Sequence, residues 1–591
     1  MLKRRIILIS LMQLLISRTA MISNMITSAL INDLDVVWFP APRLDSPSVF
    51  AKILDEKRGG HWSISFQGAV SSISPKYIEG TNVLRTTVRS EKGEINVIDF
   101  MPIGMPAIMR IINAPNDAEY KTEFKPVMNY GLVEPYVSIM RNGAQFINPL
   151  DGGLMELIIL EGNCSKLSDE AWGCIGPAKL LGHYARSVKT SILGGGKSVV
   201  YSMIGEALNK VMQYWSNKNV KKDNGLYSSS ITFLLSMVHR FTGGIAASPT
   251  TSLPEIIGEG RNWDYRFVWV RDSSLAAKAL IEEGYIVDGR GALNFLLSVV
   301  EPTAKPFDHP FYGVDGSPPG DEEEIPWLSG YGGSRPVRIG NAASTQLQLD
   351  IEGWFMDALY AYYATTRDDV YIRNYWWVIE ATAEWCSKSY MLPDAGMWEE
   401  RGEARHYTHS KVMMWVALDR AAKLAIELGF KDEGSEWRAK SIELREYILS
   451  NQPNMFTKYF GSRDVDSALL ALPLYGFIDS TDNRFIATLQ GIERELVKDG
   501  LVLRYARDFL GPVKHPFILT SEWLAMVYGL MGRKIEGINI IRKIEKCRSI
   551  VNLLGEHLDT ETCEPRGNYP HIFSHAGYLI ARKSLGLNII E

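Results

Sequence analysis

Cysteine is scarce in this 591-residue chain: Cys164, Cys174, Cys386, Cys547 and Cys563 are the only five, with no CxxC pair and no Cys/His cluster at zinc spacing. Neither a disulfide framework nor a structural metal is expected, and an isolated cysteine should behave as a small buried hydrophobe. Basic residues do not outnumber acidic ones. The formal net charge is −5 and the pI about 6.1, which leaves no broad basic surface for phosphates, so nucleic acid is not an expected partner. Long apolar runs are missing as well. Ile6 to Ile16, behind Lys3-Arg4-Arg5, is too short to span a bilayer. The same stretch has the charged and apolar parts of a secretion signal, yet Arg18 stands where cleavage before Ala20 wants a small residue. Met21 and Met25 offer later starts, so residues 1–20 read equally as a signal or as a non-native extension and are kept out of the fold reasoning. No dinucleotide fingerprint occurs. Gly196-Lys197-Ser198 resembles the end of a phosphate-binding loop, but Ser191 stands where that motif needs glycine, which favours an ordinary loop.

What is present fits a globular protein of at least two folding units: 46% hydrophobic and 22% charged residues over 591 positions. Fifteen Trp and 26 Tyr are more than helix packing requires. Sugars have apolar ring faces and polar rims that suit such side chains, although core packing accounts for most aromatics equally well.

The first part is patterned as strands. Val83–Arg89 and Glu94–Phe100 alternate around a Glu91-Lys92-Gly93 turn, and shorter runs at 107–112, 120–127 and 155–161 are separated by Pro, Gly, Asn and Asp. This predicts an antiparallel β-sandwich over 21–202. Segments 203–215 and 228–240 read as helices of a linker, 203–240. From 241 to 591 helical periodicity dominates, as in Leu347, Ile351, Trp354, Phe355, Ala358, Leu359 and Tyr362. Helices near 273–284, 290–301, 370–390, 409–428, 433–450, 483–497, 517–531, 534–546 and 572–585 suit a closed ring of helical hairpins with a pocket among the loops at one end.

Among 68 acidic residues a bare pair of carboxylates says nothing, so local context must select. Three segments stand out: Pro393–Gly402, in which Glu399 and Glu400 follow Trp398; Gly555-Glu556-His557-Leu558-Asp559; and Asn262–Asp272, in which aromatics alternate with Arg and Asp. A tryptophan beside a carboxyl can desolvate it and keep a general acid protonated. A helix cap with a surface turn, or a buried salt-bridge network, would use the same residues. His406 and His409 have no third ligand beside them and read as structural histidines.

These segments, with Gly243–Glu255, Arg335–Asn341 and Ser410–Arg420 in the same order, resemble the motifs of glycoside hydrolase family 15, the glucoamylases and related trehalases, in its prokaryotic branch. The resemblance covers nearly everything after residue 21. It implies a β-sandwich followed by an (α/α)6 barrel, with Glu399 as general acid, Glu556 as general base and Glu400 as a substrate-binding neighbour. By the same resemblance Tyr265 positions the attacking water, Arg271 and Asp272 hold hydroxyls of the terminal glucose, Trp269 and Trp398 line the pocket, and Arg504 lies beside the scissile sugar. His557 replaces a second acid common in relatives. Glu522-Trp523 departs from an apolar-Trp pair, which puts leaving-group specificity in doubt. No cofactor is expected, because inverting hydrolysis needs only an acid, a base and water.

The expected activity is that of an inverting, exo-acting α-glucosidase of glucoamylase type, releasing glucose from malto-oligosaccharides or starch-like glucans. The alternative is an α,α-trehalase, which shares the pocket for the first glucose and differs only where the leaving sugar sits. A non-catalytic carbohydrate-binding protein is the reading from another class. Oligomeric state is not legible.

Overall fold

The computed structural model describes residues 14–195, 206–221, 225–301 and 305–587. Lys3-Arg4-Arg5, most of the apolar run behind it and Gly196-Lys197-Ser198 lie outside the described residues.

An antiparallel sheet occupies the first part of the chain. The turn expected at Glu91-Lys92-Gly93 joins Leu84–Ser90 to Gly93–Phe100, with Val88 opposite Ile95. Strand Ala171–Ala185 is the hinge of the whole sheet. Its residues 171–175 pair with Glu119–Lys125 and its residues 178–183 pair with Ala107–Asn113, with Gly176, at φ +75°, and Pro177 marking the change of partner. From there one wing runs through His61–Phe66 and Asp35–Pro40 to Thr19–Ser23, and the other through Gly93–Phe100 and Leu84–Ser90 to Val70–Tyr77. A strand that changes partners at such a bend turns a corner between packed layers. Arg110 sits across that corner, fully buried, bonded to Asp99 Oδ1 at 2.8 Å, to the Trp62 carbonyl at 3.0 Å and to the Leu34 carbonyl at 2.7 Å.

Residues 14–20, left out of the fold reasoning, are built into the structure. Thr19 and Ala20 start the first strand, the Tyr331 hydroxyl donates to the Leu14 carbonyl at 2.6 Å, and the Ile550 amide donates to the Ser17 carbonyl at 2.9 Å. Two disulfides, Cys164–Cys174 and Cys547–Cys563, correct the expectation of isolated cysteines, while Cys386 is free and buried. Cys164 and Cys174 face each other across neighbouring strands, a closeness that linear spacing without strand register does not reveal.

Helices follow in pairs. They are α1 Ala207–Lys218, α2 Leu226–Met237, α3 Val270–Glu282, α4 Ile286–Ser298, α5 Ile351–Thr366, α6 Trp376–Ser389, α7 Thr408–Leu428, α8 Lys431–Asn451, α9 Asn483–Glu495, α10 Ile518–Leu530, α11 Lys534–Lys546 and α12 Ile572–Ser584. The helix expected over 370–390 breaks at Tyr375 into Asp369–Asn374 and α6. An inner ring runs α3, α5, α7, the short turns Ser467–Leu470 and Ala471–Leu474, α10, α12 and back to α3. The other helices lie outside it, α4 against α3, α6 and α8 against α7, α11 against α10 and α2 against α12. Sequence explains the two layers: α10 is buried at every position from Ile518 to Tyr528, whereas outer α9 buries only Phe485, Thr488, Leu489, Gly491 and Ile492 on one face. The sheet and the (α/α)6 barrel thus follow one another as expected. We propose 203–240 as the join between two folding units; α2 within it packs against α12 and the first strand. Among the described residues no helix is long and apolar enough to cross a membrane.

Candidate active site

The N-termini of the inner helices point to one end of the barrel, and the loop leading into each supplies part of a single cavity. Tyr265 and Trp269 precede α3, Gln348 and Asp350 precede α5, Glu399 precedes α7, Asp466 precedes Ser467, Arg504 and Phe517 precede α10, and Glu556 and His571 precede α12. Helix N-termini carry partial positive charge, which suits a site rich in carboxylates.

Glu399 sits on a turn with φ +59°, a left-handed conformation that is uncommon for residues with a side chain. Its Oε1 accepts from Trp269 Nε1 at 2.6 Å, Gln348 Nε2 at 3.1 Å and Arg271 Nη2 at 3.2 Å, so one oxygen is saturated with donors and Oε2 is left for a proton and a ligand oxygen. Arg271 is itself pinned by Asp350 Oδ2 at 3.0 Å and the Met397 carbonyl at 2.9 Å. Trp398 is fixed by Asp466, whose oxygens accept from its indole at 2.8 and 2.9 Å.

Glu556 is 3% exposed and accepts from the Tyr265 hydroxyl at 2.9 Å through Oε1. Burial, then the neighbouring Glu255, pushes its carboxyl well above the usual range, with Arg504 and Tyr265 opposing. Gly567, at φ +72°, gives it room: a Cβ there would stand 2.3 Å from Glu556 Oε2. Burial also raises Asp272 to about 7 and lowers His571 to about 3, so the imidazole at the inner wall is neutral.

Two adjoining chambers of about 50 Å³ each form the cavity and share Tyr265, Trp398, Glu399 and Arg504. The inner one is closed by Trp269, Arg271, Asp272, Glu556, His571 and Phe573. The outer one has Glu400, paired with Lys458, and a polar fence. In that fence Arg261 is held by Asp508 at 2.6 Å, and the Trp263 ring has the Arg401 and Arg338 guanidiniums at 4.3 and 4.6 Å.

All nine residues singled out from the sequence therefore line this cavity: Tyr265, Trp269, Arg271, Asp272, Trp398, Glu399, Glu400, Arg504 and Glu556. Several neighbours were not singled out. Gln348 and Asp350 gave no local signal, whereas Glu255, Trp263 and Asn341 lay unassigned inside the quoted motifs. Glu522 does not reach the cavity; it is buried between α10 and α12 with an oxygen 2.1 Å from where a Cβ on Gly577 would stand. Its neighbour Trp523 turns the other way and stacks on Trp354 and His409. His409 is fully buried and lowered to about 4, while His406 stacks on Phe460. Among the described residues Glu255, Glu556 and His557 form the one group with atoms close enough for a metal ion, within 4.8 Å of one another; the Arg504 guanidinium already brings positive charge there.

Residues 221–545 match the glycosyl hydrolases family 15, and residues 3–149 match a trehalase-like N-terminal region. A protein named trehalase 2 from Sulfolobus acidocaldarius is 43% identical over 95% of this chain and 98% of its own length. The trehalase of Thermoplasma acidophilum is 31% identical over 92% of this chain and 95% of its own, and that of Mycolicibacterium smegmatis 30% identical over 92% and 87%. A bacterial glucoamylase complexed with acarbose superposes with a TM-score of 0.71 over 96% of this chain and 94% of its own, at 14% identity. That likeness speaks for the fold alone. The glucoamylase-type expectation is therefore overturned, because the proteins alike over nearly their whole length carry the name trehalase. With more than half its residues matched to the family and 43% identity across 574 positions to one relative, the chain is a glycoside hydrolase and belongs to glycosyl hydrolases family 15.

Proposed function

We propose that the protein hydrolyses α,α-trehalose to two glucose molecules with inversion at the attacked carbon. The observation that carries this reading is the near full-length likeness to proteins named trehalases, 43% identical over 95% of the chain in the Sulfolobus acidocaldarius case. The cavity leaves room for a sugar on either side of Glu399, which lines both chambers.

In this reading one glucose fills the inner chamber between Trp269, Asp272 and His571, and the other occupies the outer chamber beside Trp263, Glu400 and Arg504. Glu399 gives the proton on Oε2 to the bridging oxygen as the bond breaks. Its other oxygen is held by Trp269, Gln348 and Arg271, which steadies the carboxylate that remains. Glu556, held by Tyr265, takes a proton from the water that attacks from the other face of the ring. Incubation with trehalose, maltose and maltoheptaose tests the substrate. Glucose should appear fastest from trehalose; release from maltoheptaose at a rate equal to or above that from trehalose would overturn the reading.

A further inference from the structure

Glu255 is as deeply buried as the proposed base, at 2% exposure against 3% for Glu556, and takes part in no step assigned above. It lies in the segment before α3 and is locked to the loop carrying Glu556, because the Gly567 amide donates to the Pro254 carbonyl at 2.9 Å. Arg504 stands between the two acids unequally. Its Nη2 donates to both oxygens of Glu255 at 2.5 Å, whereas its Nη1 is 3.9 Å from Glu556 Oε1.

We propose that Glu255 is a positioning residue of the reaction: by holding the Arg504 guanidinium it keeps that charge from pairing fully with Glu556, and so preserves Glu556 as a strong base. The inference rests on the reading of Glu556 as general base. A carboxylate in a full ion pair loses basicity, and one buried beside a second acid gains it. The surroundings of Glu556 leave Arg504 as the decisive cation. His557 does not substitute for it. Its Nδ1 is 3.1 Å from the His515 carbonyl, which places the hydrogen there, so Nε2 turns a lone pair toward Glu255 at 3.6 Å and Glu556 at 3.8 Å. Burial holds the His557 and His571 imidazoles neutral. Asp272 and Tyr265 also act on Glu556; Tyr265 donates one hydrogen bond, and Asp272 as an anion can only raise its proton affinity.

Removing the Glu255 charge frees the guanidinium to close the gap to Glu556. In Glu255→Gln the acid limb of the pH–rate profile should move about one unit or more toward acid, and kcat should fall about 10- to 100-fold. KM for a substrate without an outer sugar should change little, since Glu255 itself lines neither chamber. α-Glucosyl fluoride is the suitable substrate, because its leaving group needs no protonation and the base is then read directly, whatever the preferred natural leaving sugar. A purely structural role would lower the melting temperature without moving the pH limb. Should Glu255→Gln not fold, Glu255→Asp is read in its place, with a smaller shift in the same direction. A folded variant with its acid limb and kcat at wild-type values overturns the proposal. Glu556→Gln is run alongside: full activity there defeats the assignment of the base itself, and trehalose turnover by the wild type tests the substrate separately.

Discussion

Tyr265 and Trp269 meet edge to face with ring centroids 5.6 Å apart, and each donates a hydrogen bond to a different carboxylate: Tyr265 to Glu556 at 2.9 Å, Trp269 to Glu399 at 2.6 Å. One turn of chain at the entrance to α3 thus fixes the relation between two acids 157 positions apart (556 − 399). Two rings in contact, each holding one carboxylate, keep the two acids apart on separate donors, and in the proposed mechanism water enters between them.

Replacing either acid by its amide keeps shape and removes proton transfer. Glu399→Gln and Glu556→Gln should each lower kcat about 10²- to 10⁴-fold with little change in binding of a glucose-like inhibitor. Glu400→Gln should act mainly on KM, since Glu400 lines the outer chamber. Steady-state kinetics of the three variants decides it; a lethal Glu400→Gln beside a harmless Glu399→Gln would move the acid by one residue.

Gly567 bears on catalysis without a side chain. Its φ of +72° and the 2.3 Å gap between a built Cβ and Glu556 Oε2 make Gly567→Ala a displacement of the Glu556 carboxylate. Activity should drop at least about tenfold, the equivalent of about 1.4 kcal/mol, while helix content stays unchanged by circular dichroism. Near-normal kcat in that variant would show that Glu556 tolerates a different placement.

Much of this fold was legible because local pattern and final structure agree. The hairpin over 84–100 alternates apolar and polar residues around a glycine turn, and the outer helices carry one apolar face each. What depended on distant parts of the chain was not legible. Glu255 meets Arg504 across 249 residues, and no spacing rule announces that partnership. Glu522 and Trp523 differ by about 100° around α10, so one faces Gly577 and the other the ring interior, a difference that depends on which side the neighbouring helix packs. The nine cavity residues came from ordered motifs, yet those motifs mostly describe the inner chamber. The outer chamber draws Arg261, Asn341 and Asp508 from separate loops, so the residues named from the sequence do not separate a glucan from trehalose.

Burial of carboxyls away from the cavity makes stability depend on pH. Among the described residues neither oxygen of Glu352 has a hydrogen-bond partner, and burial raises it from 4.5 to about 8. A carboxyl raised on folding stabilises fully below its unfolded value and loses that contribution as pH climbs through the folded one. The Glu352 contribution should therefore fall away between pH 5 and 9, so that wild type loses about 4 kcal/mol more than Glu352→Gln over that range. Glu522, raised by burial alone and likewise without a hydrogen-bond partner among the described residues, should respond to Glu522→Gln in the same direction. Melting temperatures at pH 5 and 9 measure the effect; equal losses in wild type and Glu352→Gln would mean that water or a charge reaches this carboxyl.

Stereochemistry makes the sharpest demand on the proposed mechanism. Water activated by Glu556 attacks opposite the oxygen protonated by Glu399, so the glucose held in the inner chamber must leave as the β anomer. The other ring of α,α-trehalose keeps its configuration, because its own anomeric carbon–oxygen bond is never broken. Proton NMR of early turnover, before mutarotation mixes the products, should show α- and β-glucose rising in equal amounts. α-Glucose alone would mean retention, with one carboxylate acting as a nucleophile, and the roles given to Glu399 and Glu556 would have to be reassigned.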